Sequence, residues 1–203
     1  MTAAALGCRF ATAFRALTAH APVGPGTEVA VFGCGGVGLS AVMIAAGLGA
    51  RVTAVDLSPT ALARAAEVGA ARTIRSDDPV TEVIAATGGG AHVSIDGIGS
   101  PATASASVRS LRRRGTHVQV GLMLGAAASA PLPWDRVIAW EITVVGSHGM
   151  AAADYPAMLA MVADGRLRPG ELLGSVVDLD GAVDALVAMD EPGAGSGMVV
   201  ARP

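Results

Sequence analysis

The stretch 28–56 constrains the fold of this chain most, because two apolar runs flank a glycine turn within it. Val29–Phe32 is a short apolar run of the kind that forms a strand buried on both faces of a parallel sheet. The glycines that follow have the spacing G-x-G-x-x-G and open an apolar, Ala-rich stretch; they are Gly33, Gly35 and Gly38. A second β-branched run ends at Asp56. This order predicts a strand, a tight turn, a helix and a second strand.

The same arrangement is typical of a site for the pyrophosphate of a dinucleotide. The first glycine makes the tight turn, the second lets the backbone approach the pyrophosphate, and the third lets the helix pack closely on the strand. Asp56 is placed to accept hydrogen bonds from an adenosine ribose, and its charge favours NAD(H) over NADP(H). The glycine spacing alone is weak evidence, since 27 of the 203 residues are glycine. A plain strand–helix turn, with Asp56 capping the next helix, is the alternative.

Predicted strands alternate with helices along residues 26–150, which indicates an α/β fold: a Rossmann-type doubly wound parallel sheet of six strands. The strands are predicted at Val29–Phe32, Arg51–Val55, Thr73–Ile74, Val93–Asp96, Thr116–Val120 and Ile142–Val145. We expect the order 3-2-1-4-5-6, with the ligand at the carboxyl ends of strands 1 and 4. A helix is predicted over Pro101–Arg113, capped by Asp96, so that Arg112–Arg114 would form its solvated C-terminus.

Two segments flank this cofactor-binding region. Residues 1–25 predict a helix over Ala3–Leu17 and a linker rich in Pro and Gly. Residues 151–203 predict a helix and strand extension that does not continue the six-stranded sheet and would pack on another body of protein. Its predicted elements are helices over Ala153–Ala163 and Gly181–Met189, strands over Ser175–Leu179 and Met198–Ala201, and a loop over Glu191–Gly197.

Composition excludes several classes of function. A net charge of −3 and a pI near 5.7 argue against nucleic acid or an anionic membrane surface as a partner. The chain has no lysine, which excludes a P-loop, a pyridoxal Schiff base and a Tyr-x-x-x-Lys pair. The uncharged run from Val29 to Ala50 is interrupted by glycines, so we expect no membrane span. Two cysteines make no disulfide framework, and we expect a cytoplasmic protein.

The ordered set of motifs resembles the C-terminal, cofactor-binding part of zinc-dependent medium-chain alcohol dehydrogenases, and it covers nearly the whole chain. The stretches that carry the resemblance are Leu6–Cys8, Thr12–Leu17, Gly33–Gly38, Val55–Asp56, Ala65–Ala70, Val118–Gly121 and Val144–Ser147. The resemblance implies hydride transfer between NAD and a small alcohol or carbonyl substrate. It also implies a catalytic zinc in the intact enzyme and a possible homodimer formed through the sixth strand.

The resemblance also assigns roles to individual residues. The pyrophosphate and nicotinamide would lie against Gly33, Gly35, Gly36, Val37 and Gly38, with Asp56 on the adenosine ribose. Thr12 would lie near the nicotinamide ring. The backbone groups that cradle this ring would come from Ile98, Gly99, Val120, Gly121 and Leu122. Cys8 stands where the later cysteine ligand of the catalytic zinc would be, and the earlier ligands are not in this chain. We therefore expect no catalytic residue here and little or no activity from the chain alone.

Other interpretations stay open from the sequence. A methyltransferase also has a glycine-rich turn, but it carries an acid just before the first glycine, where this chain has Phe32. A non-catalytic nucleotide-binding or partner module is the third class. Cys34 is predicted to be a packing residue, and Cys8 a buried, inert thiol in this chain and not a working ligand. Small residues around Gly197 stand where some relatives carry a pyrophosphate-binding arginine. Trp134 and Trp140 are predicted to pack internally or at a dimer edge.

Overall fold

The computed structural model describes residues 2–188 and 197–202 as eight strands and eight α-helices, joined by loops and short 3₁₀ turns. The strands are β1 Glu28–Phe32, β2 Arg51–Val55, β3 Arg72–Ile74, β4 Ala91–Asp96, β5 Leu111–Gln119, β6 Thr143–Gly146, β7 Leu173–Val177 and β8 Met198–Ala201. The helices are α1 Cys8–Thr18, α2 Gly36–Gly47, α3 Pro59–Glu67, α4 Pro79–Ala86, α5 Pro101–Arg109, α6 Trp134–Ala139, α7 Tyr155–Ala163 and α8 Leu179–Val187.

The six-stranded sheet is parallel throughout and has the order β3-β2-β1-β4-β5-β6. The predicted strand order is therefore confirmed. Val31 of β1 is paired with Ala54 of β2 on one side and with Ile95 of β4 on the other. The connections from β1 and β4 lead to opposite sides of the sheet, which opens a crevice at the carboxyl ends of these two strands.

The core explains why the central strands are so uniformly apolar. Residues 29–32 of β1 are buried, because helices cover both faces of the sheet. Helix α2 is buried over Gly38–Ala45 since it packs between the sheet and α1. Its small residues let these elements approach closely, which suits a core with only 3% aromatic residues.

The region around β5 differs from the sequence prediction. Helix α5 ends at Arg109, and Leu111–Gln119 forms a strand that pairs with β4 across a register shift between Ala91 and Val93. Arg112–Arg114 therefore lies on β5, and its prediction as a helix C-terminus is wrong. The residue that caps α5 is Ser100, whose Oγ accepts a hydrogen bond from the Thr103 N–H at 3.1 Å, so the prediction of Asp96 as the cap is also wrong.

The C-terminal extension forms its own small sheet. Strands β7 and β8 pair with each other in parallel and do not join the six-stranded sheet. Helix α8 exposes four large apolar side chains to solvent: Leu179, Val183, Leu186 and Val187. The predicted loop over Glu191–Gly197 lies outside the described residues, apart from Gly197. In the described part of the chain, no helix combines the length and the apolar character needed to cross a bilayer.

Candidate functional site

The turn after β1 can be built only with glycine at two of its positions. Gly33 has φ +88°, and its N–H donates a hydrogen bond to the carbonyl of Val55 at 2.8 Å. A Cβ at Gly33 would overlap the side chain of Ile98, and one at Gly38 would overlap the carbonyl oxygen of Gly33. The turn therefore folds back tightly on the end of β1, and α2 starts directly against it.

The N-terminus of α2 is open and has no cap from this chain. Gly35 occupies the N-cap position without a side chain, and a Cβ there would have no atom within 4 Å. The first helical hydrogen bond is donated by Leu39 N–H to the Gly35 carbonyl at 2.8 Å. Among the described residues, none accepts a hydrogen bond from the N–H groups of Gly36, Val37 or Gly38, and the first turn has no acid. Such a helix end binds an anionic group.

Asp56 connects the end of β2 to the glycine turn. Its Oδ2 accepts a hydrogen bond from the Cys34 N–H at 2.6 Å, and its Oδ1 accepts one from the Ser58 N–H at 2.8 Å. Ser58 is the N-cap of α3, since its Oγ accepts from the Ala61 N–H at 3.3 Å. The carboxylate therefore shapes the entry to α3 and also lies beside the open helix end. It is only half-buried, so its remaining lone pairs are accessible.

Two loops form the floor of the crevice at the carboxyl ends of β4 and β5. Gly99 and Gly121 meet backbone to backbone: a Cβ on Gly99 would lie 2.6 Å from the carbonyl carbon of Gly121. The N–H groups of Val120 and Gly121 both donate to the Asp96 carbonyl, at 3.1 and 2.8 Å. Ile98 and Leu122 are 51% and 59% exposed, which leaves two apolar side chains without a covering layer on this edge.

A buried polar network supports these loops, and sequence reasoning missed its role. Oδ1 of the fully buried Asp96 accepts hydrogen bonds from the N–H groups of Ile98 at 2.8 Å and Gly99 at 3.1 Å. Its Oδ2 accepts from Thr103 Oγ1 and Gln119 Nε2, each at 3.0 Å. No local pattern marks Gln119, because its contact with Asp96 exists only through the pairing of β4 with β5.

The network continues from Gln119 to His117, which lies two residues earlier on β5. Gln119 Oε1 lies 3.2 Å from Nε2 of His117, and Nδ1 of that ring lies 2.9 Å from Ser107 Oγ. The imidazole is fully buried, and this burial lowers its pKa, against the smaller opposing effects of Gln119 and Asp96. His117 is therefore a neutral structural group at physiological pH.

Cys34 is a packing residue, as predicted. It is 1% exposed within the glycine turn. Burial, together with the charge of Asp56, raises the pKa of this thiol to about 12. The side chain is thus a protonated thiol at neutral pH and has no nucleophilic character.

Cys8 and Thr12 lie four residues apart on α1. This helix is far in the sequence from the two loops that follow β4 and β5. Cys8 is exposed in the first turn of α1, so its prediction as a buried thiol is wrong. Its Sγ lies 3.9 Å from Oγ1 of the buried Thr12. Within residues 2–188 and 197–202, no three His, Cys, Asp or Glu side chains are grouped so that they could hold a metal ion. The residues that the structure describes therefore do not fit a zinc ion by themselves, since Zn²⁺ sites need at least three protein ligands.

Comparison with known proteins identifies the family. A model described as "Zinc-binding dehydrogenase" matches residues 36–164, which is more than half of the chain. The chain belongs to the zinc-binding dehydrogenase family. Among curated members, it is 38% identical over 132 residues to a geraniol dehydrogenase of Castellaniella defragrans, covering 63% of this chain and 35% of that protein. It is 32% identical over 195 residues to a probable D-xylulose reductase A of Aspergillus terreus, covering 88% of this chain and 51% of that protein.

Solved dehydrogenase structures share the fold. The 2R,3R-butanediol dehydrogenase of Bacillus subtilis matches with a TM-score of 0.87 at 27% identity, covering 98% of this chain and 56% of that one. The alcohol dehydrogenase of Aeropyrum pernix matches with a TM-score of 0.85 at 30% identity, covering 98% and 57%. A structure titled NAD-dependent alcohol dehydrogenase matches with a TM-score of 0.88 at 28% identity, covering 99% and 58%. The chain spans between a third and three fifths of the length of these relatives.

Proposed function

We propose that this chain binds NAD(H) as the cofactor-binding part of a zinc-type alcohol or polyol dehydrogenase. The observation that carries the proposal is the uncapped N-terminus of α2, which faces open space at Gly35 and has the Asp56 carboxylate beside it. A pyrophosphate is a dianion, so its oxygens can accept hydrogen bonds from the N–H groups of Gly36, Val37 and Gly38. Among the described residues, none accepts a hydrogen bond from these groups. Two relatives, one named as an NAD-dependent alcohol dehydrogenase and one as a probable D-xylulose reductase, support the same assignment.

Each part of the cofactor has a matching surface in the crevice. The pyrophosphate fits the N–H groups of Gly36, Val37 and Gly38, and the adenosine ribose fits Asp56. Asp56 has already accepted two backbone hydrogen bonds, and a carboxylate has about four acceptor sites, so two ribose hydroxyls can be accommodated. A 2′-phosphate would place like charges together, which favours NAD(H) over NADP(H).

The floor loops suit the nicotinamide end. The backbone around Gly99 and Gly121 comes close to the crevice, and exposed Ile98 and Leu122 offer apolar contacts to a ring. The bound cofactor supplies the hydride acceptor or donor at C4 of its nicotinamide. The residues of this chain bind and orient it, and Asp96 holds the loop on which Ile98 and Gly99 lie. Thr12, buried on α1, is proposed to reach the ring from the α1 side.

The reaction also requires a group that activates the alcohol or carbonyl, and the described residues supply no metal site for it. We therefore propose that this chain alone binds cofactor without turning over substrate. Cys8 is exposed at the start of α1, where a thiolate could join ligands supplied by residues outside this sequence. Relatives named for geraniol, xylulose and butanediol support a small alcohol or carbonyl as the substrate class.

The test is a calorimetric titration of the purified chain with NADH, NADPH and S-adenosylmethionine. We expect selective binding of NADH, weakened at least tenfold by Asp56→Ala, since a hydrogen bond to a charged group contributes about 1.5 kcal/mol or more. Asp180→Ala is the matched control, because it removes an exposed acid from α8, outside the crevice. Binding of S-adenosylmethionine alone would indicate a methyltransferase, and NADPH binding as tight as NADH binding would contradict the role of Asp56.

Two further features extend the proposal. Strand β6 is the last strand of the sheet, and exposed Trp134 and Ile138 lie on the helix before it. An open apolar edge of this kind suits pairing with a second copy of the chain, and sedimentation of the chain at only 20.0 kDa would contradict it. The free thiols of Cys8 and Cys34 support a reducing, cytoplasmic location.

A further inference from the structure

Arg9 lies against the open end of α2, although it belongs to a different helix. A Cβ built on Gly36 would be 2.5 Å from Cδ, 2.9 Å from Nη1 and 3.2 Å from Nε of Arg9. The guanidinium is thus next to the first residue of α2, and the packing of α1 along α2 holds it there. Its side chain is half-buried, and among the described residues no carboxylate lies within 4.0 Å and no acceptor takes its N–H groups.

This position is electrostatically unfavourable without an anion. The N-terminus of a helix has a partial positive charge, and the first turn of α2 has no acid to offset it. Adding a guanidinium brings two positive groups together on the same side of the glycine turn. Most other arginines of the described chain have a carboxylate or carbonyl partner; Arg15 with Asp154 and Arg72 with Glu28 are examples.

We infer that Arg9 is a second anchor for the pyrophosphate of the cofactor, an inference that rests on the function proposed above. The helix N–H groups would bind one part of the pyrophosphate, and the planar guanidinium would donate two hydrogen bonds to phosphate oxygens on the α1 side. The cofactor would thereby connect α1 to α2. The site would then bind a diphosphate through the Arg9 side chain as well as through the backbone N–H groups of α2.

Gly36 is the residue that makes room for Arg9. It begins α2 and is helical, so alanine can replace it without backbone strain. The three atoms nearest to a Cβ on Gly36 all belong to the flexible Arg9 side chain. Gly36→Ala should therefore leave the fold intact and displace the guanidinium. The two positions offer independent ways of removing the same contact.

The experiment titrates NADH, ADP-ribose and adenosine into the wild-type chain and into Arg9→Gln, Arg9→Lys and Gly36→Ala. We expect Arg9→Gln to weaken NADH and ADP-ribose about 10- to 100-fold and to leave adenosine affinity unchanged, because adenosine has no phosphate. Arg9→Lys should lie between, since it keeps the charge and loses the two-point geometry. Arg202→Gln is the control for the loss of one positive charge near the C-terminus, outside the crevice.

A variant that combines Gly36→Ala with Arg9→Gln tests whether both substitutions remove the same contact. If Gly36→Ala acts by displacing Arg9, it should add little in the Arg9→Gln background. Unchanged NADH affinity in Arg9→Gln, or an equal loss for adenosine, would overturn the assignment of Arg9 while the proposed function stands. Failure of the wild-type chain to bind any of the three ligands would instead overturn the proposed function, and the assignment of Arg9 with it.

Discussion

Replacing Asp96 by asparagine tests whether the buried network supports the crevice. The carboxylate accepts four hydrogen bonds, two from backbone N–H groups and two from the side chains of Thr103 and Gln119. An amide has one acceptor oxygen, so it can keep the two backbone bonds. Its NH₂ group can donate to the Thr103 hydroxyl, which then acts as the acceptor, but it cannot accept from Gln119 Nε2, so the Gln119 bond is lost. A hydrogen bond to a charged group contributes about 1.5 to 3 kcal/mol, so we expect a loss of about that size in the free energy of unfolding.

The assay is urea unfolding of both proteins at pH 7.5, followed by NADH titration of the folded variant. Asp135→Asn is the control: its carboxylate is exposed and 3.8 Å from Arg109, so its loss should cost less than about 1 kcal/mol. NADH affinity should also fall in Asp96→Asn, because the loop over Ile98 and Gly99 loses part of its support. A variant within about 1 kcal/mol of wild type, with an unchanged m-value, would refute the reasoning.

Four other predictions concern individual residues. Burial lowers the pKa of His117 below its unfolded value of about 6.5, so the neutral ring stabilises the fold above that pH. Urea unfolding should show this stability being lost as the pH falls from 7.5 to 5.5, by up to about 1.4 kcal/mol per unit, and His117→Gln should reduce the slope. Gly38→Ala should lower the free energy of unfolding by about 1 to 3 kcal/mol, because its Cβ overlaps a backbone carbonyl that cannot move aside. Gly35→Ala meets no atom and should cost less than about 1 kcal/mol while still weakening NADH binding; equal losses in stability would contradict this distinction. In the native protein a thiol reagent should modify exposed Cys8 rapidly and buried Cys34 only upon unfolding, and equal rates would show that the turn opens.

Local patterns were sufficient to predict the doubly wound sheet and the geometry of its first turn. The run Val29–Phe32 and the glycines after it depend on burial and on backbone conformation, and both are visible within a few residues. The start of α3 likewise depends on neighbouring residues, since the N-cap Ser58 is followed directly by Pro59.

The failures of prediction over Arg112–Arg114 and at Asp96 both involve pairing between β4 and β5, which are distant in the sequence. Arg112–Arg114 follows a helix, and its charges are typical of a helix C-terminus. The segment is nevertheless part of β5, because β5 pairs with β4. Arg112 there contacts His92 at 2.6 Å, a partner twenty residues away. Asp96 precedes α5 closely enough to be its cap, yet its carboxylate is taken by the floor loop and by Gln119. The position of Arg9 next to Gly36 depends entirely on the crossing of α1 over α2, which no spacing in the sequence reveals.

The hydrogen bond from the Cys34 N–H to Asp56 has a consequence for the order of events in binding. The carboxylate is fixed by two backbone groups before any ligand arrives, so little side-chain entropy is lost when a ribose docks. A negative charge that is fixed in place also cannot swing away from a 2′-phosphate. If the chain binds NAD(H) as proposed, discrimination between the two nicotinamide cofactors is therefore set by a carboxylate that is already held in place when the cofactor arrives.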